Sequence, residues 1–443
     1  MFAVRMCFFA VVSLGMGNCL NAADVEVTVT WPRVTLGHGD QFPWTQLAGG
    51  DHLTVVNDGR GPYIDIGDTI DRHAVTRQKH GMTFNHKVFR IRGMNLDDLK
   101  NPRWITDEYG YGKAPSEFDR LGAYCFGILA LGDRHVILPL ALRNYPGKGG
   151  KEWGGCAWVI TEDGGATWRF RSGKTLAAKD WKADRGVPLE DTTFAHTERG
   201  VFTMVNPIQM GPGYQWNRTF SRERGIRGYV FAFMPNGHIN DRGENHPPYQ
   251  RELILARCKV GEGKDLAVSH VFDPNNWQFY AGVGADGTPA WSDLAGRQPV
   301  PMDVPYPIGW STSGQSWYSS CIYLKSVDRF VLIGTGFVWP DAGPSAMYIH
   351  VARNPWGPWR LAWHTHKATL RNNPSERPFS PYWIPGFCDL DAGVDDKGRL
   401  LRDCFFSVAG IGDTRKGWIT ETMPRYGVNI GRIRFAFNPP TRK

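Results

Sequence analysis

The apolar positions of this chain fall in short runs, each closed by glycine, aspartate, asparagine or proline. "VEVTVTW", "HLTVVND", "HKVFRIRG", "FGILALGDRHVILPLAL", "CAWVITED", "TWRFRSG", "GYVFAFMP", "RELILARCKV", "SCIYLKSVDRFVLIGTGF", "AMYIHVAR" and "RLAWHTH" are rich in β-branched and aromatic residues and carry period-two stretches. That pattern predicts half-buried β-strands joined by tight turns. No run carries the 3.6-residue period of a long amphipathic helix, and only "NLDDLKNP" and "DPNNWQFY" suggest short helical turns.

Several hairpins resemble one another. "FGILALGDRHVILPLAL" and "SCIYLKSVDRFVLIGTG" are each strand, turn, strand, while "CAWVITEDGGATWRF" and "AMYIHVARNPWGPWRLAW" are each strand, tryptophan-closed turn, strand. Hairpins recurring over about 40–70 residues suggest the four-stranded antiparallel blades of an all-β β-propeller. A β-sandwich and a parallel β-helix are the alternatives, the latter expected to show a shorter and more regular period. No linker divides the chain, so a single domain over residues 24–443 is expected.

Composition fits a folded chain rather than disorder, with 42% hydrophobic and 21% charged residues. The 52 glycines and 30 prolines imply many turns, and most of the 18 tryptophans are expected in the core. Residues 1–23 read as a secretory signal: Arg5, then an apolar stretch, then small Ala22 and Ala23. The stretch is too short to span a bilayer, so an extracellular or periplasmic monomer without membrane insertion is expected. Beyond that signal, Cys125, Cys156, Cys258, Cys321, Cys388 and Cys404 lack a CxxC pattern, which argues against a zinc knot. An exported chain can pair some of them, Cys388 with Cys404 being the first pair to test; buried free thiols are the competing reading. The formal net charge of +8 fits an anionic polysaccharide as partner, and nothing in the sequence requires nucleic acid.

The stretch "TEDGGATW" places Thr161, Asp163, Gly165, Thr167 and Trp168 at the spacing of the Asp-box, which it resembles. The physical expectation is local: the carboxylate accepts turn N–H groups, the glycines take positive φ, and the indole tucks beneath the hairpin. The resemblance places this turn between the third and fourth strands of a blade, away from any active face. "QFPWTQLAGGDHLTVVNDGRG", "AYCFGILALGDRHVILPLALRN", "GYVFAFMPNG", "ELILARCKV", "NNWQFYAGVGADGTPAWS" and "ARNPWGPWRLAW" follow in order. Together they resemble a family of secreted bacterial propellers that includes ulvan lyases and rhamnose–glucuronate lyases. The resemblance implies a propeller, seven blades being favoured over five or six. It also implies a glycan cleft at one end of the central channel and β-elimination next to a uronate.

Elimination needs a clamp on the carboxylate, a base for the C5 proton and an acid for the leaving oxygen. The resemblance puts Tyr214 in the acid/base role. Arg227 and Arg242 flank the following strand and suit the clamp, because the guanidinium fork matches a carboxylate. The histidine that the family carries early in its second or third blade is missing near Tyr124, which leaves His135 or His196 as base. Asn144, Tyr124, Asp40, His238, Trp216 and Trp310 are candidate substrate contacts. For Tyr214 the plainer reading is a packed loop residue after Gly-Pro-Gly; for the arginines it is solvation.

Two further function classes compete. A glycoside hydrolase needs two carboxylates about 5–9 Å apart; Asp40, Asp51 and Asp58 fall in the first blade, with Glu190, Asp191, Glu198 and Glu244 as partners. A true sialidase is disfavoured because "RIRG" at residues 90–93 is not its early motif. A non-catalytic glycan-binding propeller would instead use loop aromatics such as Trp216, Trp310, Trp317 and Trp383. No cofactor is implied. The alternating His364 and His366 could bind zinc, against the plainer reading of a surface pair, and Asp389, Asp391, Asp395 and Asp396 offer a structural calcium site, against that of a solvated acidic turn.

Overall fold

A computed structural model describes residues 25–31, 35–39, 41–57, 61–62, 87–94, 105–109, 123–143, 153–177, 189–195, 201–236, 252–303, 318–336, 345–368, 377–411 and 427–439. Its strands assemble into five antiparallel sheets, which are the blades of a five-bladed β-propeller. Blade I runs Trp44–Gln46, His52–Val56, Lys87–Arg92, Ile105–Tyr109 from axis to rim. Blade II places Ala123–Tyr124 and Leu129–Leu131 on the axis, followed by His135–Arg143 and Trp153–Thr161. Blade III runs Asn206–Pro207, Tyr229–Pro235, Leu253–Lys259, Trp277–Val283, with Pro289–Ser292 added outside. Blade IV is Tyr318–Leu324, Arg329–Gly336, Ser345–Ala352, Arg360–Ala368.

Blade V is built from both parts of the chain. Arg377–Trp383, Leu400–Ile411 and Gly427–Phe437 supply three strands, and Val25–Thr30 pairs with the last of them from Val25↔Phe437 to Thr30↔Arg432. The alternation of Val25, Val27 and Val29 with Glu26, Thr28 and Thr30 fits this duty. The valines pack on the blade V cluster, and Glu26 and Thr28 face solvent. Hydrogen bonding the earliest described strand to the latest closes the ring and removes an open edge.

Tryptophan does much of the packing between blades. Trp158 of blade II stacks on Trp277 of blade III at 5.2 Å. The Trp44 indole donates to Ser407 Oγ at 2.8 Å, joining blades I and V, and the Trp383 indole donates to Val331 O at 3.2 Å, joining V and IV. These rings are fully buried, and their area dominates the joints between sheets.

The first turn of each blade also touches its neighbour. Ala48 N donates to Gly132 O at 3.3 Å and Gly132 N to Gly213 O at 3.0 Å, linking blades I, II and III. Arg224 pairs with Asp328 at 2.8 Å, linking III to IV. Ser326 N donates to Asp389 Oδ2 at 2.8 Å, linking IV to V, and Gly386 N donates to His52 Nε2 at 3.1 Å, linking V back to I. The five turns therefore form a closed ring at one end of the axis, called here the turn face.

Five blades replace the seven favoured from resemblance. The axial strands begin at Trp44, Ala123, Asn206, Tyr318 and Arg377, a spacing longer and less even than the hairpins suggested. "DPNNWQFY" gives one 3-10 turn, Pro274–Asn276, capped by Asp273. The chain then becomes a strand because Trp277 and Phe279 enter the core. "NLDDLKNP" and residues 1–23 lie outside the described residues. Among the described residues no helix is long and apolar enough to cross a membrane.

Candidate functional site

Polar side chains join several blades near the axis. Gln209, 4% exposed on the axial side of blade III, donates from Nε2 to Ile128 O at 2.8 Å and accepts from Thr45 Oγ1 at 3.0 Å. Its backbone pairs with blade IV through Cys321 O and Tyr323 N, both at 2.9 Å. Thr45 Oγ1 accepts in turn from Ala130 N at 2.9 Å. Four of the five blades meet at this one glutamine, and its buried amide keeps partners on both of its atoms. Nothing in "NPIQM" distinguishes this glutamine from a surface residue; only its place in a wholly buried segment, as an isolated bridge to Ile322, signals it.

Nearer the other end, Gln41 pairs with Asn57 as an isolated bridge. Asn57 Nδ2 donates to Gln41 Oε1 and to Cys125 O, each at 2.6 Å, and Asn57 Oδ1 accepts from Cys125 N at 3.2 Å. Blades I and II are thereby joined at the end of the axis away from the turn ring. This end is called the open face. The second strands of the blades, ending at Val56, Arg143, Pro235, Gly336 and Ile411, all run towards it, because each leaves its first turn at the opposite end.

The candidates from the sequence divide between the two ends. Tyr214, Trp216, Arg227 and His135 lie at the turn face. His135 is the first residue after the turn of blade II and pairs with Leu131. The strand from His135 to Arg143 carries the chain about 25–30 Å to the other end, so His135 cannot share a site with groups at the open face. Tyr124 sits towards the open face, opposite Ala141, and is buried. Asp40, Asn144, His196, His238, Arg242 and Trp310 lie outside the described residues. Asp40 directly precedes Gln41, Asn144 follows Arg143, and His196 follows Ala195.

The placement of Tyr214 favours the packed loop residue over the acid/base role. Its phenol is buried, donates to Tyr229 O at 3.1 Å and sits at positive φ of 63°, between Gly213 and the blade III sheet. Burial pushes the phenol well above its usual range, the wrong direction for a group that must exchange a proton. The Arg227 Nε meets both oxygens of Glu262 at 2.7 and 3.0 Å, an ion pair at the turn face. Trp216 lies beneath Gly211 and edge-on to Tyr323, partly buried rather than displayed.

Among the first-blade acids, Asp51 is paired with Arg90 at 2.6 Å beside the turn ring. Asp191 is 1% exposed and accepts from Ser172 N at 2.8 Å. Both are committed to the frame. The acidic stretch considered for calcium is also spoken for. Asp395 pairs with Arg399 and Asp391 with Arg402, each at 2.7 Å, and Asp389 holds Ser326. No cluster of three metal-ligating side chains occurs among the described residues.

The Thr161–Trp168 turn has the expected geometry and joins Trp153–Thr161, the third strand of blade II, to Thr167–Arg169, its fourth. Asp163 Oδ1 accepts from Thr167 N at 3.0 Å and Thr161 Oγ1 at 2.8 Å, and Oδ2 accepts from Thr167 Oγ1 at 2.6 Å. Burial works against the charge, but these donors outweigh it and hold the carboxyl below its usual range. Gly164 and Gly165 take φ of 77° and 103°, and Trp168 is fully buried. Gly164 N donates to Arg134 O, which ties this turn to the first turn of its blade and places it on the turn face.

No family model and no curated protein matches this chain. Among solved structures it is similar to a putative hydrolase from Bacteroides ovatus ATCC 8483, at 10% identity and a TM-score of 0.43 over 95% of this chain and 97% of that one. It is similar to an N-acetylgalactosamine deacetylase from F. plautii at 10% identity and TM-score 0.43, covering 91% and 95% of the two chains. A Bacteroides ovatus chain named Xyloglucan PUL GH43B gives 11% identity and TM-score 0.38 over 87% of this chain and 51% of that one, so this chain spans about half its length. At these scores the likeness is loose, and the five-blade count rests on the strand pairing itself.

Proposed function

We propose that the chain is a carbohydrate-active enzyme working at the open face, and that it hydrolyses a glycosidic bond with paired carboxylates. The observation that supports this most is the division of the axis. The turn face carries the ring of backbone and side-chain contacts between blades, and four blades are joined at Gln209. This reading puts the ligand cleft at the other end of the propeller. Asp40 and Asp58 are the sequence neighbours of the bridged Gln41 and Asn57; they and the acids Glu198 and Glu244 lie outside the described residues. Glu198 and Glu244 are the partners this reading assigns. Elimination loses its leading residues, because Tyr214 and Arg227 are engaged at the opposite end.

Incubation with a panel of neutral and uronate-containing polysaccharides tests the proposal. New reducing ends without an ultraviolet-absorbing unsaturated uronate are expected, and Asp40→Asn or Asp58→Asn should remove them while the protein remains folded. An unsaturated product, or undiminished turnover in both variants, would overturn the hydrolytic assignment.

A further inference from the structure

All six described cysteines are buried thiols, and two of them share one apolar cluster in blade V. Cys388 follows the 3-10 turn Pro385–Phe387 of blade V, and Cys404 lies in the strand Leu400–Ile411 beside it. The ladder pairs Leu390 with Asp403 and Asp391 with Arg402. Continued without interruption, it would set Asp389 opposite Cys404 and place Cys388 and Cys404 on opposite faces of the sheet. Asp389 instead takes a positive φ of 63°, a local kink that rotates Cys388 onto the interior face with Cys404. The Asp389 amide lies 3.4 Å from Cys404 Sγ, and Cys388 Sγ lies 3.6 Å from Phe405 O. Burial first, and then the neighbouring Cys404 thiol, push the Cys388 thiol well above its usual range. Both belong to the apolar cluster of Trp383, Phe406 and Ile433.

We infer that Cys388 and Cys404 are joined as an intramolecular disulfide when the chain folds in the presence of a disulfide donor. One thiolate attacks the donor and releases the first donor thiol, leaving a mixed disulfide. The second thiolate attacks the protein sulfur of that mixed disulfide and releases the second. Two electrons and two protons pass to the donor, and the protein gains one S–S bond. Because Cys404 is fully enclosed and Cys388 nearly so, exchange belongs to the folding chain, before blade V closes. The bond would staple the axial side of the blade that also carries the seam between Val25–Thr30 and Gly427–Phe437.

The test refolds the protein with a reduced and oxidised glutathione couple, then unfolds it with an alkylating agent and no reductant, and maps the peptides by mass. A linked Cys388–Cys404 peptide pair is expected, with alkyl groups on Cys125, Cys156, Cys258 and Cys321. Alkylation of Cys388 and Cys404, or linkage of either to another cysteine, overturns the inference. As a second measurement, reductant should lower the thermal midpoint of the wild type and leave that of the Cys388→Ala/Cys404→Ala variant unchanged. Equal shifts in the two proteins would count against the staple.

Discussion

Mild acid should loosen the propeller through two buried histidines. His52 lies at the joint of blades I and V, where its Nε2 accepts from Gly386 N at 3.1 Å. The ring proton is therefore on Nδ1, which is buried with no partner, and a second proton would set two N–H donors against each other. His350 in blade IV donates from Nε2 to Asp303 O at 2.7 Å, and its Nδ1 is likewise buried and unpartnered. Burial lowers both pKa values to about 4, against a small opposing pull from Asp51 on His52 and from Asp303 on His350. The unfolded chain binds these protons near pH 6.5 and the folded one near pH 4, so stability is full above 6.5 and falls as pH drops between those values. At 1.36 kcal/mol per pKa unit, each histidine costs about 2 kcal/mol by pH 5 and about 3 kcal/mol by pH 4. Two together remove about 4 kcal/mol at pH 5, a large part of the 5–15 kcal/mol that holds a typical domain. Urea unfolding midpoints at pH 7.5, 6.5, 5.5 and 5.0 measure the slope directly. The His52→Gln/His350→Gln variant should start less stable at pH 7.5 and lose only about 1 kcal/mol over the same range. Parallel pH curves for the variant and the wild type would refute the reasoning, since they would place the titrating groups elsewhere.

Gly213→Ala should destabilise by about 2–4 kcal/mol in urea. Its φ is 53°, and an added Cβ would come within 2.8 Å of Ala48 Cβ and 2.9 Å of Gly132 Cα in the turn ring. Gln209→Leu strips partners from Ile128 O and the Thr45 hydroxyl in a buried setting, with an expected loss of about 2–3 kcal/mol in the same assay. Tyr214→Phe deletes one hydrogen bond, to Tyr229 O, for about 1 kcal/mol; product formation on any active glycan should be unchanged, whereas a lyase acid would lose nearly all of it. Asp163→Ala removes the acceptor for Thr161 and Thr167 and should lower stability by about 2 kcal/mol, read as a fall in thermal midpoint, with turnover intact.

What the chain reveals about itself depends on how local the cause is. The hairpins at Leu129–Leu131/His135–Arg143 and Tyr318–Leu324/Arg329–Gly336 are written in period-two alternation around a tight turn, and they form where that alternation puts them. The Thr161–Trp168 turn is just as legible, because its carboxylate, glycines and indole act on residues within a few positions of one another. Blade number is not local. It follows from which strand meets Gly427–Phe437, a partner found at Val25–Thr30 across almost the whole chain, and no window of sequence displays that pairing. The same is true of the axis. Gln209 is set by contacts to Thr45, Ile128 and Tyr323, so its importance lies in three other segments rather than in its own neighbours. Tyr214 misleads for the converse reason. Its neighbours Gly211, Pro212 and Gly213 resemble a loop made to expose a side chain, yet the positive φ they permit drives the ring inward against blade III. Glycine-rich loops at the turn face and at the open face share one composition. The direction of the adjoining strand separates them, and by that criterion the proposed reacting groups belong at the strand ends beside Gln41 and Asn57.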